Sequence, residues 1–301
     1  MDAAVTGSLD FAGWTRDRLG RVEAALSGWV DVGGPAGLGE AMRYAVLDGG
    51  KRLRPLLVLA AAEAVGGHEG AAMRAACSVE LIHAYSLVHD DLPCMDNDVL
   101  RRGKPTVHVK FGEAQALLAG DALQALAFEL LAPEGDVVPV AVQASLCRLL
   151  AKAAGAHGMA GGQAIDLASV GRSLTEDELR HMHRLKTGAL LQGSVMMGAA
   201  CGRASASSSA ALARYGAALG LAFQVVDDIL DVTADSQTLG KTAGKDAEQD
   251  KPTYVSLLGL ERSREHAREL LADALGALDA SGLEDTRALR ALARMVVERD
   301  N

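Results

Sequence analysis

Two clusters of three aspartates each lie inside otherwise apolar stretches of this sequence. The first cluster is Asp90, Asp91 and Asp96, and the second is Asp227, Asp228 and Asp231. An ionised carboxylate is unfavourable in apolar surroundings unless a cation meets it. Mg²⁺ prefers carboxylate oxygens together with phosphate oxygens and water. The two clusters therefore predict bridging divalent metal ions, and the basic residues near them predict a bound polyphosphate.

The second cluster falls in a segment with helical periodicity. On a helix, Asp227 and Asp231 lie one above the other, and Gln224 shares their general face. One interpretation is a solvated acidic face. However, apolar residues occupy much of the same circumference, which is unusual for a surface helix. These residues are Leu221, Phe223, Val225, Val226, Ile229 and Leu230. The pattern favours carboxylates that line a buried cleft.

The first cluster lies where a predicted helix ends. Pro93 cannot continue helical hydrogen bonding, so we expect the chain to bend just after Asp91. Such a bend brings Asp96 back towards Asp90 and lets the two carboxylates share a metal ion. The alternative interpretation of this segment is a purely structural network of acids and bases.

Basic residues accompany both clusters. Arg101 and Arg102 follow the first cluster, and a guanidinium offers a planar fork of donors that suits phosphate oxygens. Lys51 and Arg54 lie at the start of a predicted helix, where free backbone N–H groups favour an anion. The alternative for this pair is a basic turn on the surface. Lys186 interrupts an apolar run, where it either snorkels or meets an anion.

Two further segments are predicted to support the site. The polar segment 233–251 contains Lys241 and Lys251, and it is either a flap over a charged ligand or an ordinary solvated connection. The glycines of segment 161–163, followed by Asp166, indicate a tight turn that enters a helix. We expect this second segment to orient a basic residue.

Composition limits the fold and the class of partner. The chain has 301 residues, of which 49% are hydrophobic and only 3% aromatic, which favours helices over sheets. A net charge of −9 argues against general nucleic-acid binding. The four cysteines are widely spread and contain no CxxC pair, which fits reduced thiols in a cytosol. We find no signal-peptide pattern and no apolar run long enough to span a membrane, so we expect a soluble, cytoplasmic protein.

The spacing of apolar residues predicts one all-α domain over residues 1–301. The predicted helices cover residues 11–29, 38–47, 55–65, 71–91, 113–131, 137–154, 175–186, 190–201, 205–231, 253–259, 261–280 and 286–299. The breaks between them have the length of turns, and none resembles a flexible linker.

Several segments together resemble the motifs of the trans-polyprenyl diphosphate synthases, with the bacterial farnesyl diphosphate synthases as the most similar group. In chain order the segments are GGKRLRP (49–55), HDDLPCMDNDVLRRGKPT (89–106), GGQAIDL (161–167), KTG (186–188), QVVDDILD (224–231), and GKTAGKD and DKPTY between 240 and 254. The resemblance implies an all-α bundle around a deep central cavity, usually a homodimer. It also implies head-to-tail transfer of a prenyl group between isoprenoid diphosphates.

The resemblance assigns roles to individual residues. It implies that the six aspartates bind three Mg²⁺ ions on the allylic diphosphate and that Arg101 and Lys186 assist catalysis. The residues assigned to isopentenyl diphosphate are Lys51, Arg54, His83 and Arg102. The residues assigned to the allylic diphosphate are Arg101, Lys186, Thr187, Gln224, Lys241 and Lys251.

The length of the product is predicted from the helix that ends in the first cluster. Ser86 lies about 6 Å and Tyr85 about 7.5 Å beneath Asp90 at 1.5 Å per residue. A tyrosine there would close a short pocket. The resemblance agrees, because an aromatic residue at this position, with the insertion Pro93-Cys94, accompanies a C15 product in bacterial members. We therefore expect farnesyl diphosphate, made from isopentenyl diphosphate with dimethylallyl and then geranyl diphosphate.

Three alternatives stand beside this prediction. A geranyl or geranylgeranyl diphosphate synthase would differ only at Tyr85 and the cavity floor. A non-catalytic regulatory subunit on the same scaffold would usually lack one aspartate motif, and both motifs are intact here. A terpene cyclase needs no isopentenyl site, so Lys51, Arg54 and Arg102 argue against it.

Overall fold

Helices account for most of the chain in the computed structural model, which describes residues 9–47, 49–233 and 253–299. The first six are α1 Phe11–Trp29, α2 Leu38–Val46, α3 Leu53–Ala64, α4 Glu69–Asp90, α5 Val107–Phe111 and α6 Glu113–Leu131. The remainder are α7 Val140–Ala154, α8 Met159–Ala168, α9 Glu176–His183, α10 Ala189–Ala200, α11 Ala206–Thr233, α12 Tyr254–Leu258, α13 Leu260–Asp279 and α14 Arg287–Val297. The predicted all-α class is confirmed.

The predicted helix bounds are mostly correct to within a few residues. Helices α1 and α6 match their predictions at both ends. Helix α3 begins at Leu53 and not at Pro55, because Arg52 forms its N-cap in the left-handed region with φ of 46°. The short helix α5 was not predicted, since five residues are too few for a periodicity signal.

Helix α8 differs most from the sequence-based expectation. Gly161 and Gly162 were predicted to form a turn, yet they lie inside the helix. A β-carbon at Gly162 would lie only 2.0 Å from the backbone nitrogen of Lys186, so glycine allows two backbones to touch here. Tertiary packing therefore overrides the low helix propensity of glycine.

Helical structure continues without a break from α9 to α10. A break was predicted between residues 186 and 190, but a π-helical turn, Arg184–Gly188, joins the two helices directly. Such π-helical turns inside α-helices occur frequently at functional sites. This turn carries Lys186 and Thr187, two of the predicted ligands of the allylic diphosphate.

The described residues contain one small sheet, which the sequence analysis did not predict. Strands Leu100–Arg101 (β1) and Lys104–Pro105 (β2) pair in antiparallel register. Between them, Arg102 and Gly103 have φ angles of 52° and 75°. Two successive residues with positive φ characterise the tight turn favoured in two-residue hairpins. The hairpin places Arg101 and Arg102 beside different parts of the site.

Helix α4 lies at the centre of the fold and packs against α3, α6 and α10. Small and aliphatic side chains on most of its circumference are buried, including Ala75, Val79 and Ile82. A helix that is apolar all round is typical of a protein interior. Its C-terminal half lines both of the cavities described below.

Helices α6 and α11 are long and apolar enough to cross a membrane by length and composition alone, each with mean hydropathy of 1.2. Within the fold, 39% and 50% of the relevant segments are buried. Core helices of soluble proteins also meet this criterion, and α11 carries the second aspartate cluster. The absence of a membrane span stays a prediction.

Candidate active site

The first aspartate cluster is built by the end of α4. Asp90 is the last residue of the helix, and Asp91 caps it. The backbone then turns back, and the N–H of Asp96 donates to the carbonyl of Asp90 at 2.8 Å. The bend predicted from Pro93 is therefore present, and it brings the backbones of Asp90 and Asp96 together.

Asp90 is a buried carboxylate whose surroundings favour a bound cation. Burial, reinforced by Asp96 and Asp91 and opposed by Lys186 and Arg101, raises the pKa of its carboxyl to about 7. Its Oδ1 atom is buried and accepts no hydrogen bond from any described residue. A buried acceptor without a donor is unfavourable, so this oxygen suits a cation.

Asp91 is bound by Arg101 in this structure. The guanidinium approaches with Nη2 at 2.6 Å from Oδ1 and Nε at 3.0 Å from both oxygens. Asp91 is buried, and burial raises its pKa although Arg101 opposes the change. Arg101 also lies 3.9 Å from the carboxylate of Asp98. The hairpin thus places Arg101, one of the predicted phosphate-binding residues, in direct contact with the first cluster.

Lys186 is oriented by Asp166 of α8. Its Nζ donates to Asp166 Oδ2 at 2.6 Å. Burial alone would lower the pKa of Lys186, but the carboxylate of Asp166 outweighs this effect and the pKa is raised. The structure confirms that the segment around Asp166 orients a basic residue. Lys186 also interacts electrostatically with Asp90 and Asp96, so it faces the first cluster.

The second cluster is fixed by a chain of hydrogen bonds. Thr187 Oγ1 donates to Gln224 Oε1 at 2.9 Å, and Gln224 Nε2 donates to Asp228 Oδ1 at 2.8 Å. Asp228 Oδ2 accepts from the N–H of Tyr254 at 2.7 Å. Both oxygens of Asp228 therefore accept protein hydrogen bonds, and this carboxylate joins α11 to the start of α12. Asp231 is also buried, at 5% exposure.

Asp227 pairs with an arginine that the sequence analysis missed. Arg299 Nη2 donates to Asp227 Oδ1 at 2.5 Å, and its guanidinium lies 4.5 Å from the ring centroid of Phe223. The pair links the end of the chain to α11 across 72 positions. No local pattern distinguishes Arg299 from the other arginines near the C-terminus, so its role required the tertiary structure.

The four residues assigned to isopentenyl diphosphate line one cavity of about 640 Å³. They are Lys51, Arg54, His83 and Arg102. Burial lowers the pKa of all four, and neighbouring cations add to this effect at Lys51, His83 and Arg102. The pKa of His83 lies well below its usual range. The Nε atom of Arg54 is buried and donates to no described residue. Crowded cations with an unused donor are the features of an anion-binding site.

Arg52 stabilises this cationic cavity and was also missed. Its guanidinium donates to Glu23 and Glu80 at 2.7 Å each and to the carbonyl of Val46 at 2.6 Å. Glu80 lies one turn before His83 on α4, and both line the cavity. Arg52 therefore fastens the 49–55 segment to α4. Its partners are 28 and 29 residues away, beyond the reach of any local motif.

A second cavity, of about 390 Å³, lies on the other side of α4. It is lined by Asp90 together with Tyr85 and Ser86, the two residues predicted to control product length. Helix α8 and Leu117 of α6 form other walls. The structure thus brings the predicted floor and Asp90 of the first aspartate cluster into one cavity. The remaining predicted ligands, Lys241 and Lys251, lie outside the described residues.

The two clusters and the cationic cavity adjoin. Lys186 faces the first cluster, and the adjacent Thr187 begins the hydrogen-bond chain to the second. Lys51 and Arg54 interact electrostatically with Asp227. A ligand in the cationic cavity would therefore lie beside a ligand that the aspartates bind.

Comparison with known proteins identifies the family to which this protein belongs. The profile of the family described as polyprenyl synthetase matches residues 35–292, which is most of the chain. The chain belongs to the polyprenyl synthetase family. As such it is a trans-prenyl diphosphate synthase, and the family depends on magnesium and acts on isoprenyl diphosphates.

Relatives of this polyprenyl synthetase include enzymes with different products. It is 49% identical over 300 residues to a heterodimeric geranylgeranyl pyrophosphate synthase large subunit of Arabidopsis thaliana, covering 98% of this chain and 81% of that one. It is 49% identical over 266 residues to the farnesyl diphosphate synthase of Escherichia coli, covering 87% and 89%. A Helicobacter pylori geranyltransferase crystallised with magnesium and isoprenyl diphosphate has a TM-score of 0.83 at 35% identity, covering 97% and 98%.

The donor set of this polyprenyl synthetase fits magnesium that is shared with a substrate. Across residues 9–47, 49–233 and 253–299, no group of three or more His, Cys, Asp or Glu side chains could hold a metal ion by itself. Mg²⁺ usually takes only one or two carboxylates and completes its shell with phosphate oxygens and water. The buried Oδ1 of Asp90 supplies such a hard oxygen. The individual metal-binding and substrate-binding roles stay predictions.

Proposed function

We propose that this protein is a farnesyl diphosphate synthase, which adds isopentenyl diphosphate first to dimethylallyl and then to geranyl diphosphate. The observation that carries the proposal is the cavity shared by Asp90 and Tyr85. A prenyl chain that starts at the first aspartate cluster and grows along α4 meets the tyrosine ring about 7.5 Å further down. A tyrosine ring at this depth supports a short product, which we propose is C15, over a longer one.

We propose that isopentenyl diphosphate binds in the cationic cavity. Its diphosphate would compensate the buried positive charges of Lys51, Arg54 and Arg102 and would accept the buried Nε–H of Arg54. His83 is neutral there and can donate one hydrogen bond. The diphosphate thereby fixes the carbon–carbon double bond close to the allylic substrate, and proximity replaces a random encounter.

The allylic diphosphate is proposed to bind between the two aspartate clusters. The six aspartates would hold three Mg²⁺ ions, and these ions would neutralise charge on the departing pyrophosphate. Lys186, oriented by Asp166, places a positive charge beside Asp90 and Asp96. Arg101 offers further donors from the hairpin, and Thr187 on the π-helical turn orients Gln224. Charge that develops on the leaving oxygen is thus met by preorganised donors.

The carbon chemistry needs no side-chain nucleophile. The allylic C–O bond breaks, its electron pair leaves with pyrophosphate, and an allylic cation remains. The isopentenyl double bond attacks this cation and forms the new C–C bond. A proton is then lost to the departed pyrophosphate, which restores a double bond. The apolar walls of the cavity exclude water that would otherwise capture the cation.

A geranylgeranyl diphosphate synthase is the second candidate. The 49% identity to the Arabidopsis large subunit favours it as strongly as the identity to the E. coli enzyme favours farnesyl diphosphate. The tyrosine ring in the cavity supports the shorter product. Two intact aspartate clusters speak against a purely regulatory subunit, and the cationic cavity speaks against a terpene cyclase.

We also propose a cytoplasmic homodimer. Helix α6 exposes Leu117 and Leu118 at 48% and 52%, although it is among the most apolar helices of the described chain. An apolar helix face of this kind is typical of an interface between protein chains. All four cysteines are free, which supports a reducing compartment.

The test is a product assay with purified protein, isopentenyl diphosphate, dimethylallyl diphosphate and Mg²⁺. We expect chromatography of the dephosphorylated products to give the C15 alcohol as the main species, and no product when Mg²⁺ is removed with a chelator. A main product of C20 or C10 would replace the proposed activity by one of its alternatives. Turnover of dimethylallyl diphosphate without consumption of isopentenyl diphosphate would indicate a cyclase or lyase.

A further inference from the structure

One wall of the product cavity depends on a glycine of α6. Gly120 is buried, and a β-carbon on it would lie 2.0 Å from Nε2 and 2.5 Å from Cδ2 of His89. Real β-carbons do not approach other atoms at these distances. The imidazole of His89 therefore occupies space that a side chain at position 120 would fill.

Two further contacts determine the position of the His89 ring, one with α6 and one with Tyr85. Its Nε2–H donates to the carbonyl of Leu117 at 3.0 Å. Its ring meets Tyr85 edge to face, with 5.7 Å between ring centroids and an interplanar angle of 75°. His89 and Tyr85 both line the cavity that contains Asp90. The backbone of α6 thus positions His89, and His89 supports the tyrosine at the proposed floor.

We propose that Gly120 and His89 are further determinants of product length, which act together with Tyr85. This inference rests on the proposed function, because it treats the Tyr85 cavity as the site of chain growth. Any side chain at position 120 drives the imidazole away from α6 and into the cavity. The space left for the growing prenyl chain then becomes shorter. Removing the imidazole has the opposite effect and lengthens that space.

Helix propensity by itself predicts a different outcome for a substitution at Gly120. Alanine is more favourable than glycine inside a helix by about 1 kcal/mol. If Gly120 were only an element of α6, Gly120→Ala would stabilise the protein and leave the products unchanged. The close approach to His89 predicts instead that the products change. The two interpretations can be separated by measuring products.

The experiment compares Gly120→Ala with Gly276→Ala, in the complete protein, using the product assay above. Gly276 lies inside α13 and has no atom within 4 Å of its missing β-carbon, so it controls for alanine in a helix. We expect Gly120→Ala to raise the ratio of C10 to C15 product about tenfold, since one methyl group in an apolar pocket is worth this much or more. Gly276→Ala should keep the wild-type ratio. A wild-type ratio for Gly120→Ala overturns the proposal.

Two further variants test the mechanism. We expect His89→Ala to give products longer than those of the wild type. In the double variant His89→Ala with Gly120→Ala, the added methyl group has no ring to displace, so the shortening should disappear. A double variant that still makes the short product of Gly120→Ala would contradict the role of His89, as would a His89→Ala profile equal to the wild type.

These outcomes are independent of the identity of the wild-type product. If the wild type makes C20, the proposed farnesyl diphosphate synthase activity fails. The shift that Gly120→Ala causes is still measured relative to that product and still tests the inference. If Gly120→Ala does not fold, as judged by circular dichroism, the prediction for His89→Ala decides the question, because that variant removes atoms and adds none.

Discussion

Asp166 and Lys186 form the ion pair on which the proposed allylic diphosphate site depends. Asp166 is 7% exposed, and its carboxylate compensates the burial of the lysine. A charged hydrogen bond of this kind is worth about 1.5–3 kcal/mol, or roughly ten- to hundredfold in binding. Its loss would leave Lys186 free to turn away from Asp90 and Asp96.

We therefore expect Asp166→Asn to raise KM for the allylic diphosphate about tenfold, with a smaller effect on KM for isopentenyl diphosphate. Steady-state kinetics with each substrate varied in turn measures both constants. Asp177→Asn is the matched control, because Asp177 is an exposed acid whose partner Arg180 is also exposed. Equal changes in the two KM values would show that Asp166 is not specific to the allylic site.

A buried histidine at the end of α9 gives the protein a predictable sensitivity to acid. His183 stacks on Tyr254 with ring centroids 5.7 Å apart, and neither ring nitrogen makes a hydrogen bond with a described residue. Burial, assisted by Lys186 and opposed by Asp166, lowers its pKa to about 4. Between the usual pKa near 6.5 and this value, the unfolded chain binds a proton that the folded protein does not.

The folded protein therefore has the full benefit of a neutral His183 above pH 6.5. This contribution to the free energy of unfolding is lost as the pH falls towards 4. We expect His183 to account for about 3 kcal/mol of the decrease in unfolding free energy between pH 7 and pH 4. His183→Gln should remove that part of the pH dependence, whereas His181→Gln, at an exposed position of the same helix, should retain it. Urea unfolding at several pH values measures the difference. Identical pH slopes for the wild type and His183→Gln would contradict the prediction.

At the scale of elements, α4 separates the two proposed substrate cavities. It presents Glu80 and His83 to the cationic cavity, and Tyr85 and Ser86 to the product cavity. Residues two positions apart on one helix, such as His83 and Tyr85, point in nearly opposite directions, so a single buried helix serves both sites. The close contact of α8 with the π-helical turn supplies Lys186 from the opposite side.

The proposed role of α4 in stopping chain growth can be tested at Tyr85. We expect Tyr85→Ala to remove the floor and to raise the ratio of C20 to C15 product at least about tenfold. Tyr85→Phe keeps the ring and should retain the wild-type profile. A Tyr85→Ala enzyme that still stops at C15 would show that another residue closes the cavity.

At the scale of the whole molecule, the exposed apolar residues of α6 point to a second copy of the chain. We expect the purified protein to sediment with twice its chain mass of 31.2 kDa. Leu118→Glu places a charge in the proposed interface and should shift the species to a monomer. Leu257→Glu, which changes an exposed leucine of α12, is the control and should remain dimeric. A monomeric wild type in analytical ultracentrifugation would contradict the interface.

The sequence by itself determined the helical class, most helix bounds and the chemical character of the site. Helical periodicity and carboxylates in apolar surroundings are local features of the sequence, so they can be recognised without a structure. The return of Asp96 towards Asp90 was predictable for the same reason, because one proline controls it. The grouping of Lys51, Arg54, His83 and Arg102 came from a family resemblance and not from spacing.

Only the tertiary structure decided which charges meet. Arg52 pairs with Glu80, Arg101 with Asp91, and Arg299 with Asp227. The tertiary structure also revealed the hairpin, the unbroken helical structure from α9 to α10, and the contact of Gly120 with His89. The physical reason is that ion pairs and close backbone contacts depend on how helices distant in the chain pack against each other. The spacing of residues along one helix contains no information about that packing.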